Sequence, residues 1–599
     1  MKKRVADVIV DVLAENGIDI CFSVVGGGAM HLNNAFLLAK DRIRTIYNHH
    51  EQACAMAAEG YARLTGNVAA VCVTSGPGGT NTINGVQGAW VDSLPMVVVA
   101  GYPRYETTAA STGLDIRTRG VQENDIISQV RPITKYAKLL LDPLAVRAEL
   151  QTAICLARTG RRGPVWLSVP LDIQNTMVEE GELYPAEGPT PLPSPSEEQI
   201  REMERLLREA KRPCILTGSG IRTGNSIALY RKFAGRVQIP VVGGAQQADI
   251  NCNGDERFYG MSGSIGPRCG NFILQSADVI LVLGNSMGTN QTGFNVEGFA
   301  PNAKIIMVDA QADEAKKPGL RIHMLIHSDL GLFFEKCLRM GVEARAEAGW
   351  FAHCDKVYRR FSRHEALFDM EKQGELTPDR RIPVLLFWKR FLDRAPEDTV
   401  IALGNSSCVH GVLQFGIEKP GQRVLVNYNC GSMGHDLPQS IGAAVGAKRS
   451  VYCVAGDGSI MMNLQELQTI VFRKLPIKII LFNNHGYGAI RNTCRNFFDG
   501  ANAGCDPESG VGFPDFEKVA AAFGLPFHRS GCIGELDSGL DWLEAQEGPC
   551  LLEICQKIGE VDSPKVASRL DPETGKFVTP PVHDMSPFLP KEEIEQYLL

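Results

Sequence analysis

The sequence lacks the features that mark membrane, nucleic-acid-binding and disulfide-stabilised proteins. No stretch approaches the roughly 18 uninterrupted apolar residues that a membrane span needs, and no dense run of lysine and arginine reverses a net charge of -7. The 17 cysteines stand singly, without CxxC pairs or zinc-ligand spacing. We therefore expect a cytoplasmic protein with reduced, mostly buried thiols, with small-molecule partners, and with no nucleic-acid or membrane partner.

The first residues are charged, as in a signal peptide, but the pattern that follows is helical. Val5, Val8, Ile9, Val12 and Leu13 recur at helical spacing, with acidic residues between them. This pattern predicts an amphipathic helix of the mature fold rather than a cleaved leader.

A chain of 599 residues is too long for one hydrophobic core, so three or four domains are expected. Short apolar runs alternate with helical patterns in the intervals 1–180, 196–345 and 380–560, which is typical of parallel sheets with helices on both faces. A proline-rich stretch, 183–199, and a polar and aromatic stretch, about 345–385, connect them. The predicted fold is α/β with three doubly wound parallel-sheet domains, of which the central sheet is the smaller. An irregular tail, 561–599, is either a flexible end or a flap over a site.

The most informative stretch runs from residue 451 to residue 484. A strand leads into Gly456-Asp457-Gly458, a helical pattern follows, and a second strand ends at Asn483-Asn484. Glycines let the backbone turn sharply and approach an anion, and the N-terminus of the next helix points at the same place. Asp457 offers a carboxylate oxygen, and Asn484 offers an amide oxygen from the neighbouring parallel strand. With a backbone carbonyl just beyond, this arrangement predicts Mg²⁺ bridging two phosphates.

The run GDGSIMMNLQELQTIVFRKLPIKIILFNN resembles the signature of the thiamine-diphosphate enzymes, and specifically of their acetolactate synthase branch. The likeness extends over nearly the whole chain and implies pyrimidine-binding, central and diphosphate-binding domains in that order. By this resemblance Asp457 and Asn484 are the side-chain metal ligands, and the Gly486 carbonyl is a third. Asn405 and Ser406 fall where the family has a Gln-His pair at the diphosphate, so contact is expected with different chemistry.

The run NHHEQACAMAAEGYARLTG resembles the segment that carries the family's activating glutamate. In the family, this carboxylate is hydrogen-bonded to N1′ of the cofactor pyrimidine and makes the 4′-amino group basic enough to take the C2 proton. The resemblance gives this catalytic role to Glu51, in an apolar pocket. The alternative is a solvent-facing acid at a helix N-terminus, where the helix dipole favours negative charge.

Two further segments resemble parts of the family's cofactor site. CGSMGHDLPQSIGAA implies that Met433 is the bulky wedge that bends the cofactor, the alternative being core filler. VTSGPGGTNTINGVQGAWVDSLPMVVVAG resembles the segment whose turn lies near the pyrimidine. The cofactor contacts implied by the resemblance are Gly27, Ser75, Gly76, Asn81, Asn405, Ser406, Ser432, Met433, Gly456, Gly458, Ser459, Tyr487, Gly488, Ala489 and Ile490.

The resemblance also implies self-association. The family places its activating glutamate and its GDG turn on different chains, so a homodimer is the smallest competent unit, and a homotetramer is the alternative.

The residues that decide the product resemble those of a ligase. Val121-Gln122-Glu123 resembles the synthase FQE and puts Gln122 at the reaction centre, where simple decarboxylases carry a His-His pair. Ile490 stands where those decarboxylases carry a glutamate. The expected activity is decarboxylation of a 2-oxo acid, pyruvate by default, and joining of the acyl carbanion equivalent to a carbonyl acceptor. The alternatives are an ordinary acetolactate synthase, a simple decarboxylase and a non-catalytic cofactor-binding homologue.

The residues expected to hold the acceptor differ from those of the family, and so does the central domain. Acetolactate synthases hold the second 2-oxo acid with an arginine at the end of RFDDR and with a tryptophan past the metal strand, positions that are Asn290 and Thr493 here. Loss of a bidentate carboxylate clamp favours a sugar-like ketone or aldehyde as acceptor, unless Arg491 or another cation replaces the clamp. GMSGSIGPRCG resembles the flavin-side loop only loosely. The central domain therefore holds either a non-redox FAD or an empty or differently occupied site.

Overall fold

The computed structural model describes residues 2–186, 188, 191–245, 247–447, 449–570 and 574–599. Three six-stranded sheets organise the chain, and every strand in them runs parallel to its neighbours, which confirms the predicted fold class. The strands of these sheets are β1 Ile20–Ser23, β2 Arg44–Tyr47, β3 Ala69–Val73, β4 Met96–Tyr102, β5 Tyr136–Leu139, β6 Pro164–Pro170, β7 Pro213–Thr217, β8 Val241–Gly243, β9 Phe258–Met261, β10 Val279–Leu283, β11 Lys304–Asp309, β12 Ile322–His327, β13 Val400–Leu403, β14 Arg423–Val426, β15 Val451–Gly456, β16 Ile477–Asn483, β17 Phe527–Ser530 and β18 Cys550–Cys555.

The first and third sheets have the same strand order. The first runs β2-β1-β3-β4-β6-β5, and the third runs β14-β13-β15-β16-β18-β17. The central sheet runs β9-β8-β7-β10-β11-β12, an order typical of dinucleotide-binding sheets. The expectation of a smaller central sheet is wrong, because β9 and β12 extend its two edges to six strands.

Helices flank the three sheets. Those of seven residues or more are α1 Val5–Glu15, α2 Met30–Leu38, α3 Glu51–Thr65, α4 Pro77–Val91, α5 Val146–Arg158, α6 Glu197–Glu209, α7 Ile227–Arg236, α8 Arg268–Ser276, α9 Leu330–Met340, α10 Ala348–Arg360, α11 Glu365–Lys372, α12 Val384–Arg394, α13 Ser407–Phe415, α14 Asp436–Gly446, α15 Glu466–Phe472, α16 Gly488–Phe497, α17 Phe516–Phe523, α18 Leu536–Ala545 and α19 Lys591–Tyr597. The first of them, α1, is the predicted amphipathic helix and buries all five of its predicted apolar residues.

Helices α3 and α14 pack directly against each other and join the first sheet unit to the third. A Cβ added at Gly60 would lie 2.2 Å from the Gln439 carbonyl oxygen, and one added at Gly442 would lie 1.8 Å from the Ala57 carbonyl oxygen. Glycine is therefore required at both positions, because the two backbones touch there. One continuous apolar core contains side chains of both units.

The connections and the tail contain more regular structure than the sequence suggests. The 183–199 prediction falls partly on residues 187, 189 and 190, which lie outside the described residues, and α6 begins after a capping box at Ser196. The 345–385 connection holds α10 and α11. The tail contains a pair of two-residue strands, Arg569–Leu570 and Phe577–Val578, and then α19. The predicted domain bounds stay predictions.

Two expectations about the whole chain can be compared with the structure. No helix in the described ranges has the length and apolar character to cross a membrane. All 17 cysteines are free thiols, and most of them are buried.

Candidate functional site

A cavity of about 560 Å³ lies at the carboxyl ends of the strands of the third sheet. Its walls come from the segments that follow β13, β14, β15, β16 and β18, mainly residues 404–410, 427–433, 456–459 and 484–490. Ligands of open α/β sheets bind at this edge, and the volume suits a small organic molecule.

Asp457 and Asn484, predicted from the sequence to be metal ligands, lie together in this cavity. Asp457 is 2% exposed, and its carboxylate accepts hydrogen bonds from the Gly458 N–H at 2.8 Å and the Gly486 N–H at 2.9 Å. Burial raises the pKa of Asp457 to about 6, although these N–H groups lower it. Asn484 donates its Nδ2 to Gln556 Oε1 at 3.2 Å, which leaves its Oδ1 buried without a hydrogen-bond partner.

These oxygens fit a hard divalent cation. A buried amide oxygen without a donor is costly unless a ligand coordinates it, and a carboxylate beside it supplies negative charge. The described residues contain no group of three or more His, Cys, Asp or Glu side chains that could hold a metal ion. A metal at this position would therefore depend on Asp457, the Asn484 amide and backbone carbonyls such as that of Gly486.

Arg491 shapes the loop that follows β16. Its guanidinium donates to the Asn484 carbonyl at 3.0 Å and to the His485 carbonyl, and it pairs with Asp506 at 3.2 Å. A Cβ added at Gly486 would lie 2.1 Å from a backbone oxygen and 2.2 Å from this guanidinium. The guanidinium is thus fully engaged by the protein rather than directed at the cavity.

The turns predicted to meet a diphosphate expose their backbone to the cavity. A Cβ added at Gly456 would meet open space, whereas one added at Gly458 would lie 2.2 Å from the ring of Tyr487. Asn405 donates its Nδ2 to a backbone carbonyl at 2.9 Å. Ser406 has a φ of 54°, a conformation that is strained for a residue with a Cβ and that clusters at functional sites.

The loop that carries Met433 is tied to the GDG turn. Ser459 Oγ accepts a hydrogen bond from the Gly434 N–H at 2.9 Å and donates to Asp436 Oδ2 at 2.5 Å. Met433 lines the cavity, but the neighbouring Ser432 does not. Helix α16 begins with the predicted contacts Gly488, Ala489 and Ile490, which also line the cavity.

Glu51 lies at the first position of α3 and is half-buried, not enclosed in an apolar pocket within one chain. Its Oε2 accepts a hydrogen bond from Asn81 Nδ2 at 3.1 Å. Both residues follow strands of the first sheet, and neither lines the cavity around Asp457.

The remaining predicted residues of the first unit cluster near the carboxyl ends of the same sheet. Ser75 Oγ donates to Gln122 Oε1 at 3.3 Å, and a Cβ added at Gly76 would lie 2.8 Å from the Gln122 carbonyl oxygen. Gly27 begins a short turn whose next residue, Gly28, packs against the Ser75 hydroxyl. Among the described residues of one chain, the predicted site is therefore divided into two clusters.

Sequence reasoning missed several polar residues of the cavity, among them Gln556, His410 and Asp562. Gln556 follows β18 directly, so the rule that sites form at the carboxyl ends of strands could have found it. His410 Nδ1 lies 3.5 Å from Asp562 Oδ1, and both residues line the cavity. Asp562 belongs to the tail, which no sequence pattern pairs with α13.

The two positions predicted to decide the acceptor lie away from the cavity wall. Asn290 donates its Nδ2 to Asn429 Oδ1 at 3.4 Å, and Thr493 is exposed on α16, where its hydroxyl donates to the Ala489 carbonyl. Among the described residues that form the cavity wall, none is lysine or arginine.

The free space at the carboxyl edge of the central sheet is divided among separate cavities. Two cavities of about 80 and 40 Å³ lie there, beside the turns after β7 and β10. A flavin dinucleotide occupies several hundred Å³. With the residues as arranged, neither of these two cavities fits FAD, which favours the alternative of an empty or differently occupied site.

Comparison with known proteins identifies relatives of the whole chain. Residues 3–130, 200–336 and 404–554 match the N-terminal, central and C-terminal domain models of thiamine pyrophosphate enzymes. Acetolactate synthase 1, chloroplastic, from Nicotiana tabacum is 31% identical over 92% of this chain and 81% of its own length. The acetolactate synthase isozyme 1 and isozyme 2 large subunits from Escherichia coli (strain K12) are 30% and 29% identical, over 92% and 91% of this chain and 93% and 94% of their own lengths.

Proposed function

This chain belongs to the thiamine pyrophosphate enzymes, in their acetolactate synthase-like branch, and we propose that it decarboxylates pyruvate and transfers the resulting acyl carbanion equivalent to a sugar-like ketone or aldehyde. Membership of this branch shows that the chain is a thiamine-diphosphate-dependent carboligase. When bound, thiamine diphosphate supplies the electron sink that permits loss of CO₂ and attack on a carbonyl. The donor, the acceptor and the roles of individual residues are the proposal.

The unpartnered Asn484 Oδ1 beside Asp457 carries the cofactor assignment. These two side chains and the Gly486 carbonyl would hold Mg²⁺, and the metal would neutralise a diphosphate placed against the glycine-rich turn after β15. Met433, on the facing loop, would support the bend of the cofactor. Each of these elements follows a strand of the third sheet, so the rigid sheet fixes their positions.

Glu51 would accept a hydrogen bond from the pyrimidine ring and hold it in the form that takes up a proton. Asn81 positions this carboxylate through the 3.1 Å hydrogen bond to Oε2. Gln122, held by Ser75, would face the reacting carbon with an amide rather than with a proton-donating imidazole. An environment without an acid at this position favours bond formation over release of an aldehyde.

The separation of the two clusters supports a site shared between two chains. Neither Glu51 nor Gln122 lines the cavity at Asp457 in its own chain. A homodimer with the first unit of one chain facing the third unit of its partner would complete two equivalent sites, because a two-fold interface makes each contact twice.

The lack of lysine and arginine in the described part of the wall that one chain contributes supports a neutral acceptor. A second 2-oxo acid would bring a carboxylate into the cavity, and burying it without a cation costs several kcal/mol. Arg491 is not available for this role, since two carbonyls and Asp506 already engage it. A polyhydroxylated ketone or aldehyde needs only hydrogen-bonding groups, which the Asn, Ser and Gln side chains of the wall provide.

Ordinary acetolactate synthase activity is the second candidate, because the relatives carry that name. Product analysis by mass spectrometry distinguishes the two. The purified protein would receive Mg²⁺, thiamine diphosphate and pyruvate, with and without a panel of sugar-like carbonyl compounds. We expect an adduct that carries a two-carbon unit and only slow formation of acetolactate. Rapid, saturable acetolactate formation from pyruvate alone, with kcat on the order of 10 per second, would instead establish the second candidate.

A further inference from the structure

A second cavity, of about 420 Å³, lies where the three sheet units meet. The last turn of α3 and residues 94–95 come from the first unit, α7 and residues 247–250 come from the central unit, and β14 comes from the third. This cavity shares no lining residue with the cavity around Asp457. Its volume lies in the range of small-molecule sites.

The charged side chains of this junction cavity are mostly cationic. Asp249, the one carboxylate among its described lining residues, is shared by Arg222 at 3.1 Å and Arg423 at 2.8 Å. Arg162 and Arg231 also line the cavity, and neither forms a salt bridge with a described residue. A fifth arginine, Arg63, pairs with carboxylates outside the cavity wall.

Two of the lining side chains lack adequate partners, of which Arg162 is half-buried and Gln247 is buried. Arg162 donates to the Gly66 carbonyl at 3.3 Å, and burial lowers its pKa, because the attraction of Asp329 does not offset the loss of water. Gln247 is 4% exposed, yet neither its Nε2 nor its Oε1 has a hydrogen-bond partner. Buried polar groups are nearly always paired, so the unpaired Gln247 amide indicates a missing polar ligand, and the half-buried Arg162 guanidinium lines the same cavity.

The rest of the wall is apolar. Leu64, Leu94, Pro95, Ile227 and Ile250 contribute aliphatic surface next to the arginines. A ligand that satisfies the whole cavity therefore has an anionic group for the guanidiniums and an apolar body. Two guanidiniums without counter-ions match a doubly charged phosphoryl group better than a singly charged carboxylate.

We propose that the junction cavity is a second ligand site, which binds a phosphorylated small molecule with an apolar body. Arg162 and Arg231 bind the phosphoryl oxygens, and Gln247 donates to and accepts from the ligand. Arg222 and Arg423 remain paired with Asp249 and form the floor of the site.

The position of this site connects it to the catalytic groups. Arg423 donates to the Arg63 carbonyl at 2.7 Å and the Leu64 carbonyl at 2.8 Å, so β14 is fastened to the end of the helix that begins at Glu51. Strand β14 also leads directly into the segment that carries Met433. An effect of the ligand on turnover would rest on the proposed function, but binding itself does not.

Titration calorimetry on the full-length protein, saturated with Mg²⁺ and thiamine diphosphate, tests the proposal. The probe is phenyl phosphate, which joins an apolar ring to a phosphate, and the comparison ligands are phenylacetate and benzyl alcohol. We expect saturable binding of phenyl phosphate that weakens with added salt. Phenylacetate should bind at least 10-fold more weakly, and benzyl alcohol should not bind measurably.

Single substitutions in the junction cavity test whether phenyl phosphate binds there. Arg231 is exposed, so R231Q should fold normally and weaken phenyl phosphate binding at least 10-fold, as should R162Q and Q247L. R201Q, at an exposed position on α6, is the matched control and should bind like the wild type. Absence of saturable binding, equal affinity for phenylacetate, or unchanged affinity in R231Q and R162Q would overturn the proposal.

Discussion

Glu59 Oε2 lies 2.9 Å from His435 Nε2, and the two side chains are 0% and 1% exposed. Asn427 adds hydrogen bonds to both Glu59 oxygens at 3.0 and 3.1 Å. Glu59 lies on the helix that begins at Glu51, and His435 closely follows Met433. The contact thus fixes the element that carries the candidate activating acid against the loop that carries the candidate wedge.

Glu59→Gln should destabilise the protein in a pH-dependent way. Burial raises the pKa of Glu59, but His435 and Arg63 together outweigh burial and lower the pKa to about 2. The folded-state pKa lies below the ordinary 4.5, so the stabilisation is complete above pH 4.5 and is lost as the pH falls toward 2. Removing one partner of a buried ion pair costs about 3 to 5 kcal/mol.

The unfolding midpoint in urea, measured from pH 7 down to pH 3.5, checks this prediction. We expect a large difference between wild type and Glu59→Gln at pH 7, and a smaller one below pH 4.5. A difference that stays constant across this range would show that the charge of Glu59 does not matter.

Glu51→Gln should remove most of the turnover and leave cofactor binding nearly intact, because only the activation of the pyrimidine ring is lost. Proton-transfer groups contribute about 10²- to 10⁴-fold, and CO₂ release from pyruvate should fall by that factor. Glu198→Gln is the matched control, since Glu198 is also an acid in the first turn of a helix. Wild-type rates in Glu51→Gln would mean that Glu51 is only a solvent-facing acid that the helix dipole favours at this position.

Asp457→Ala should abolish metal-dependent cofactor binding. The substitution removes an oxygen ligand and its charge from a site that must neutralise a diphosphate. Binding can be followed by calorimetry with and without a chelator, and tight, chelator-insensitive binding would refute the assignment.

Gln556→Leu should weaken metal binding without abolishing it. Gln556 holds the Asn484 amide so that Oδ1 faces the cavity, and loss of such an orienting partner typically costs 10- to 100-fold in metal affinity. A titration with Mg²⁺ at fixed cofactor concentration measures the effect. Unchanged affinity would mean that Asn484 does not need this support, or is not a ligand.

Mixed dimers test whether each site uses two chains. Glu51→Gln and Asp457→Ala should each be nearly inactive alone. In a dimer that contains one chain of each kind, one site combines both changes and the other site has neither. Co-expression with two affinity tags and isolation of the mixed dimer should recover about half of the wild-type activity. A mixed dimer as inactive as its parents would place Glu51 and Asp457 of the same chain in one site.

The sequence pattern predicts every interior strand of the three sheets but only two of the six edge strands, β2 and β14. Strands β5, β9, β12 and β17 were not predicted, and each lies at an edge of its sheet. An edge strand has a neighbour on one side only and is often partly exposed, as β5 and β12 are. It then lacks the continuous apolar run by which a buried parallel strand is recognised.

The same distinction applies to the candidate site. The proximity of Asp457 and Asn484 follows from the sequence, because the carboxyl ends of adjacent parallel strands meet at one edge. The pairing of His410 with Asp562 depends on how the tail folds back, and local patterning carries no information about it. The engagement of Arg491 by Asp506 likewise depends on a loop contact.

The shared strand order of the first and third sheets has a consequence for ancestry. In this order, β3 and β15 occupy corresponding positions, so the turn with Ser75 and Gly76 and the turn with Asp457 and Gly458 are counterparts. Duplication of an ancestral gene segment, followed by fusion, would produce two units with one topology in a single polypeptide. After the duplication, one descendant retained the acid and the other retained the metal-binding turn. A catalytic centre shared between chains would then combine two diverged copies of one ancestral unit.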